Sequence, residues 1–180
     1  MTIKENIEPF TYEDPFLLYK KFSNNQPSMM LESRSNNKAY ARKNLVLPRQ
    51  AIRIKGKGEE FFMEALTPVG EELFNFLAPA ILDCADEGTY LSSNSIAGRV
   101  ERRFDHLTAT PTANLSTMLR TILSTVQSSY PFAGLHGAFA YDFARNFHEI
   151  DTRFSGADDF HLFVPSHIFY LDSEKETGEH

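Results

Sequence analysis

The chain has 180 residues, with 18 Lys and Arg against 24 Asp and Glu, a formal net charge of −6 with histidine neutral. That length suits one domain, and 42% hydrophobic residues, including 16 Phe and 7 Tyr, supply a core without any Trp and exclude disorder over most of the sequence. The acidic balance argues against a nucleic-acid module, which gathers Lys and Arg to neutralise phosphates. Arg99, Arg102 and Arg103 do cluster, and they read as a solvated face. A single cysteine, Cys84, excludes an intramolecular disulfide and reads as a small hydrophobe in an apolar stretch. MTIKENIEPF lacks the apolar region of a secretory signal, and no apolar run approaches the roughly 18 residues of a membrane span, so the expectation is a cytoplasmic protein.

In chain order, Asp14-Pro15 reads as a helix cap followed by proline at the first helical position, opening a short helix to about Phe22. Asn24, Asn25 and Pro27 break it, and the run from Ser28 to Ser33 is short and apolar enough to be a strand. A polar, basic connection over residues 34–43 follows. Leu45-Val46-Leu47 and Ala51-Ile52-Arg53-Ile54 then give two strand-like runs around Pro48. Lys55-Gly56-Lys57-Gly58 has turn chemistry, and Phe61 to Leu66 is the returning strand of a hairpin. The pattern changes period at Pro68: Val69, Leu73, Phe74, Leu77, Ile81 and Leu82 mark an amphipathic helix that Pro79 should kink or divide. Residues 87–113 are polar and irregular, legible only as loop with short elements.

Leu115, Met118, Leu119, Ile122, Leu123 and Val126 mark a second long helix, capped by Asn114 or Ser116 and ending near Ser128-Ser129. The segment from Phe132 to Asp142 is strand-like, and its small residues Gly134 and Gly137 would let another backbone pack closely. Phe160 to Val164 and Ile168 to Asp172 read as strands flanking Pro165. The expected organisation is one domain over residues 1–172 with a charged, frayed tail at 173–180. Helices among hairpin-linked strands point to an α+β fold with a mainly antiparallel sheet and packed helices.

The six histidines form no metal signature, no GxSxG elbow precedes a helix, and the acidic pairs Glu71-Glu72 and Asp158-Asp159 fall where acids are ordinary, so no catalytic or metal-ligating set emerges. One constellation points to binding. An apolar strand delivers Glu32 and Ser33 at its end, and Lys43 follows after the polar connection. Such a set suits a zwitterion: Glu32 or strand carbonyls would take an ammonium and Lys43 a carboxylate. The same residues also read as a partly exposed strand end beside a surface lysine.

Three segments, Met30-Leu31-Glu32-Ser33, then Phe132-Ala133-Gly134-Leu135-His136-Gly137-Ala138-Phe139-Ala140-Tyr141-Asp142, then Ile168 to Asp172, resemble in order and spacing the N-terminal region of anthranilate synthase component I and other chorismate-using enzymes. Family members carry an LLES strand, a later F-x-G-G-x-x-G-Y/F-x-x-Y-D segment and a strand ending in aspartate. This chain departs at Met29-Met30 and at Ala133, and Leu45 to Ile54 also looks like the family's strand pair after LLES. The resemblance implies a regulatory and structural half of a lyase of tryptophan biosynthesis, contributing Leu31, Glu32, Ser33 and Lys43 to a tryptophan feedback site. The family's Pro-Tyr-Met motif and its chorismate- and magnesium-binding segments have no counterpart here, so the chain alone is expected to be inactive and to hold no cofactor. The full enzyme would add a magnesium-dependent chorismate-binding domain and a glutamine amidotransferase partner. Asp142 to Asn146 resembles the catalytic domain's DLxRND motif only superficially, because Phe147 replaces its aspartate. An aminodeoxychorismate synthase component I-like fragment and a stand-alone amino-acid-binding or interaction module are the alternatives.

Overall fold

The computed structural model describes residues 6–24, 26–33, 43–104, 111–126, 128–148 and 156–180, and 34–42, most of the polar connection after Ser33, lies outside them. The chain runs β1 (Pro9–Thr11), α1 (Pro15–Ser23), β2 (Met29–Glu32), β3 (Lys43–Lys57), β4 (Glu60–Ala65), α2 (Pro68–Leu82), β5 (Tyr90–Leu91), β6 (Ser95–Arg99), β7 (Arg103–Phe104), β8 (Pro111–Ala113), α3 (Leu115–Thr125), β9 (His136–Phe139), a 3-10 helix (Tyr141–Asn146), β10 (Phe160–Asp172) and β11 (Thr177–Glu179). It is an α+β arrangement in which, among the described residues, every strand pairing is antiparallel.

Two long strands, β3 and β10, form the spine of the sheet, and shorter strands flank their ends. At one end β2 lies outside β3, while β11 and then β1 lie outside β10. At the other end β9 lies outside β10, and β4, β6 and β5 extend the sheet beyond β3. The two strand-like runs around Pro48 are thus one strand, as are the two around Pro165. Both prolines sit mid-spine, between the flanking strands, where a missing N–H removes no ladder bond from a neighbour.

The spine is irregular there, with register shifts between Val164 and Phe169. Their effect shows in which residues face the helices. Phe160 and Leu162 join the core under α2 and α3 together with Ile52, Ile54, Phe61, Met63 and Ile96. Past the irregularity the inward positions are Phe169 and Leu171, which pack with Val46 and Leu18 of α1. The inward residues of β10 therefore pass from even to odd numbers, a change that a bulge accomplishes by adding one residue to the pleat. On the other face Phe163 packs with Leu45 and Leu47.

Local signals explain the helices. Asp14 accepts the Phe16 and Leu17 amides at 3.0 and 3.1 Å, and Asn24 closes α1 in the left-handed conformation at φ 43°. Thr67 accepts the Gly70 amide and opens α2, which continues through Pro79 to Leu82 as one helix rather than dividing there. Asn114, only 2% exposed, accepts the Thr117 amide at 3.0 Å and caps α3. Asn114→Ala removes the side-chain oxygen that meets the Thr117 amide and hydroxyl while keeping the main-chain carbonyl, and a loss of about 1 kcal/mol in chemical denaturation is expected. An unchanged midpoint would show that the cap is dispensable.

Other expectations are modified. The tail does not fray: residues 173–176 turn, and β11 inserts between β1 and β10. The strand expected from Phe132 to Asp142 is confined to β9, and Tyr141 begins the 3-10 helix. Arg99 and Arg102 are not merely solvated, because both reach Glu59, whose carboxylate also accepts the Arg102 amide at 2.9 Å. Burial works against the charged form of Glu59, yet the bonds from Arg102 and Arg99 outweigh it and hold the carboxyl below its ordinary value. Cys84 is half-buried at the end of α2, its Sγ 3.4 Å from Thr121 Oγ1 on α3. Among the described residues no helix is long and apolar enough to cross a membrane.

Candidate functional site

The four residues singled out from the sequence lie at the end of the spine where β2, the start of β3 and the end of β10 meet. Leu31 is paired with Leu45 and Glu32 with Asn44, while Lys43 is opposite Asp172 on β10. Directly paired residues of an antiparallel ladder project to one side, and successive residues alternate. Leu31 and Lys43 therefore share the face of Leu45, Tyr170 and Asp172, whereas Glu32 and Asn44 project to the α1 side. The pleat separates Glu32 from Lys43, so these two cannot grip the two ends of one small zwitterion. Ser33 follows β2, and its amide donates to Asn44 Oδ1 at 3.2 Å.

On the Lys43 face the arrangement is aromatic and charged. Lys43 Nζ stands 5.5 Å from the centroid of the Tyr170 ring, within cation–π range. The other ring neighbour of Tyr170 is Phe132, stacked at 4.7 Å, and Tyr130 packs edge-on against Phe132 at 5.7 Å. Leu31 adds an apolar side chain that is 53% exposed. Interaction with the Tyr170 side chain, hydrogen bonding first, and then the charge of Asp172 hold Lys43 above its ordinary value. Asp172 also builds the turn into β11: its Oδ1 accepts the amides of Glu174 and Lys175 at 3.0 and 3.2 Å. The Lys175 amide, then that of Glu174, outweigh burial and hold the carboxyl below its usual range.

Glu32 faces a different neighbourhood. Tyr12 is raised above its ordinary value by burial first, then by the negative charges of Asp14, Glu32 and Glu176. These acids thus gather around one phenol on the α1 side, away from Lys43.

The surface on the Lys43 side suits a ligand that carries a carboxylate and a flat apolar group: an ammonium for the acid, two aromatic rings and a leucine for the plane. Tyr170 and Phe132 belong to this surface and were not among the site residues chosen from the sequence. Their signal was the aromatic content of both segments, but only the register of β10 against β3 brings them to Lys43. No model of a known protein family matches the chain, and no curated protein matches its sequence. Among the described residues no three His, Cys, Asp or Glu side chains converge in a way that could hold a metal ion.

Proposed function

We propose that this chain is the N-terminal, effector-binding part of an anthranilate synthase component I-like protein, with the catalytic domain elsewhere. In the full enzyme chorismate and glutamine-derived ammonia would give anthranilate and pyruvate, and the part described here would sense an aromatic amino acid, tryptophan in this reading. The observation that carries it is the placement of the Lys43 ammonium beside Tyr170, Phe132 and Leu31 on one sheet face. Lys43 takes the ligand carboxylate, the rings and Leu31 line the indole, and the ligand ammonium turns to strand carbonyls or Asp172. Glu32, on the opposite face, takes no direct part. Such a surface buries one side of the ligand only, so a chorismate-binding domain would supply the rest of the pocket.

Titration calorimetry tests this. Tryptophan should bind the isolated chain no more tightly than about millimolar, because a half-built site leaves much of the indole in water. In the longer native protein, Lys43→Ala should raise the tryptophan concentration for half-inhibition about tenfold, the worth of a hydrogen bond to a charged group, while Glu32→Gln leaves it nearly unchanged. Basal turnover should survive both changes. Loss of turnover in Lys43→Ala with inhibition intact would move Lys43 to the active site and end the regulatory reading. A longer protein indifferent to tryptophan would favour an aminodeoxychorismate synthase-like relative.

A further inference from the structure

The ribbon formed by β1 and β11 is held to the sheet through little backbone. β1 pairs with β11, and β11 pairs with β10 only at Tyr170, Leu171 and Asp172. The pairing of the two ribbon strands continues at Glu8 and His180, whose main chains exchange hydrogen bonds of 2.8 and 2.9 Å. Beyond the last β10 pair, side chains take over. The His180 ring stacks on Phe169 at 4.3 Å and 13°, and lies near-parallel to the His167 ring at 5.5 Å and 15°. Phe10 of β1 closes the group, 5.2 Å from Phe169 and 6.5 Å from His180.

We propose that this His167–His180 stack is a proton-operated latch that holds the β1–β11 ribbon on β10 when the imidazoles are neutral and releases it when both are charged. Neutral rings pack on Phe169 as flat, weakly polar surfaces, whereas two imidazolium rings face to face repel. The surrounding charges relieve this repulsion only in part. From β3, Arg49 stands opposite His167 and adds a third positive charge. From β1, Glu8 is paired with His180 and can balance one charge, although its Oε1 also accepts from Asn6 Nδ2 at 2.9 Å. Glu179 of β11 projects to the other face by alternation. From α1, Phe22 packs on Phe169, and Lys21 beside it is engaged with Glu13. Within β10 the neighbour of His167 Nδ1 is the Ser166 hydroxyl, at 3.0 Å. Glu8 thus shares a cross-strand pair with His180 alone, whereas a charge on His167 meets Arg49 and the His180 ring.

His167 accordingly lies below its ordinary value, through burial first and then the charges of His180 and Arg49. A histidine depressed in the folded state contributes full stability above the ordinary imidazole value of about 6.5, and that contribution is lost as the pH falls below it through the folded-state value.

Amide hydrogen exchange on the 180-residue chain, corrected for intrinsic rates, tests the latch at pH 7.5 and 5.0. The amides of Thr177 and Glu179, which face their β10 partners Asp172 and Tyr170, should lose protection at least about tenfold at pH 5.0 relative to those of β3 and β4, and His167→Gln should keep it. If His167→Gln itself loosens the ribbon at pH 7.5, His180→Phe decides, because it retains a ring on Phe169 without a titrating nitrogen: protection kept at pH 5.0 supports the latch. Ribbon protection unchanged between the two pH values, lost equally with β3 and β4, or lost at pH 5.0 in His180→Phe would overturn it.

Discussion

Asp159→Ala is expected to destabilise the fold by about 3–5 kcal/mol, the cost of stranding one member of a buried ion pair. The Asp159 side chain is fully buried, and both of its oxygens engage the Arg145 guanidinium, itself only 15% exposed. Its Oδ2 also accepts the Gly58 amide at 2.7 Å, while its main chain donates to Gly56 and accepts from Ala140, each at 2.7 Å. One residue thus fastens the β3–β4 turn to the 3-10 helix, and Arg145 passes the connection on by accepting the Arg102 side chain at its carbonyl. The melting temperature should fall by roughly 6–20 °C. The double variant Asp159→Ala/Arg145→Leu should lose less than the single one, because no buried cation is then left unpaired. A single-variant loss under about 1 kcal/mol would show that water reaches Arg145 and that the pair is not a structural anchor.

Gly137→Val should be nearly as damaging. Gly137 lies in β9 opposite Leu162 at φ +144°, and a Cβ there would meet the His161 carbonyl oxygen at 2.1 Å and Leu162 Cα at 2.9 Å. Both obstacles are main chain of the spine, which cannot step aside as a side-chain tip would. Steric overlap and a backbone conformation foreign to L-residues add, so a loss of about 3 kcal/mol or more is expected in urea denaturation. Gly134 offers the contrast: it has φ +148° but nothing within 4 Å of its would-be Cβ, so Gly134→Ala carries conformational strain alone and should cost about 1–2 kcal/mol. Equal losses at the two positions would mean that β9 moves away from β10 to accommodate the side chain.

These glycines illustrate how far the sequence could be read. Small residues in an aromatic segment signalled close approach, but not which glycine met a neighbour, since that depends on a pairing partner more than 20 residues away. The three helices were legible because their signals are local: Asp14, Asn24 and Asn114 act within a turn of themselves, and α2 shows in its apolar spacing, although its Thr67 cap went unread. The strands of the spine were recognised but cut at Pro48 and Pro165, because proline argues against a continuous ladder unless the neighbouring edges are known to be free. β1 and β11 were missed, as three residues carry no period and PFT and TGE have no apolar alternation. The candidate site divided along the same line. Lys43 follows from the residues and Leu31 from the family resemblance, yet the alternation that takes Glu32 to the other face and the cross-strand contact with Tyr170 follow only from register.

The even-to-odd change along β10 turns a length into information. From Phe160 to Val164 and from Phe169 to Asp172 the strand is written in two reading frames, and the residues between them are the spacer that keeps both in phase with β3. In most sheets the connections between strands tolerate insertions and deletions, and substitutions within strands are the costly changes. Here a single residue added or removed between Val164 and Phe169 would substitute nothing, yet it would turn Phe169 and Leu171 out toward water and Tyr170 and Asp172 in against α1. The core beneath α1 and the face that carries Lys43 are therefore inherited together, set by the count of residues in one stretch of five peptide bonds.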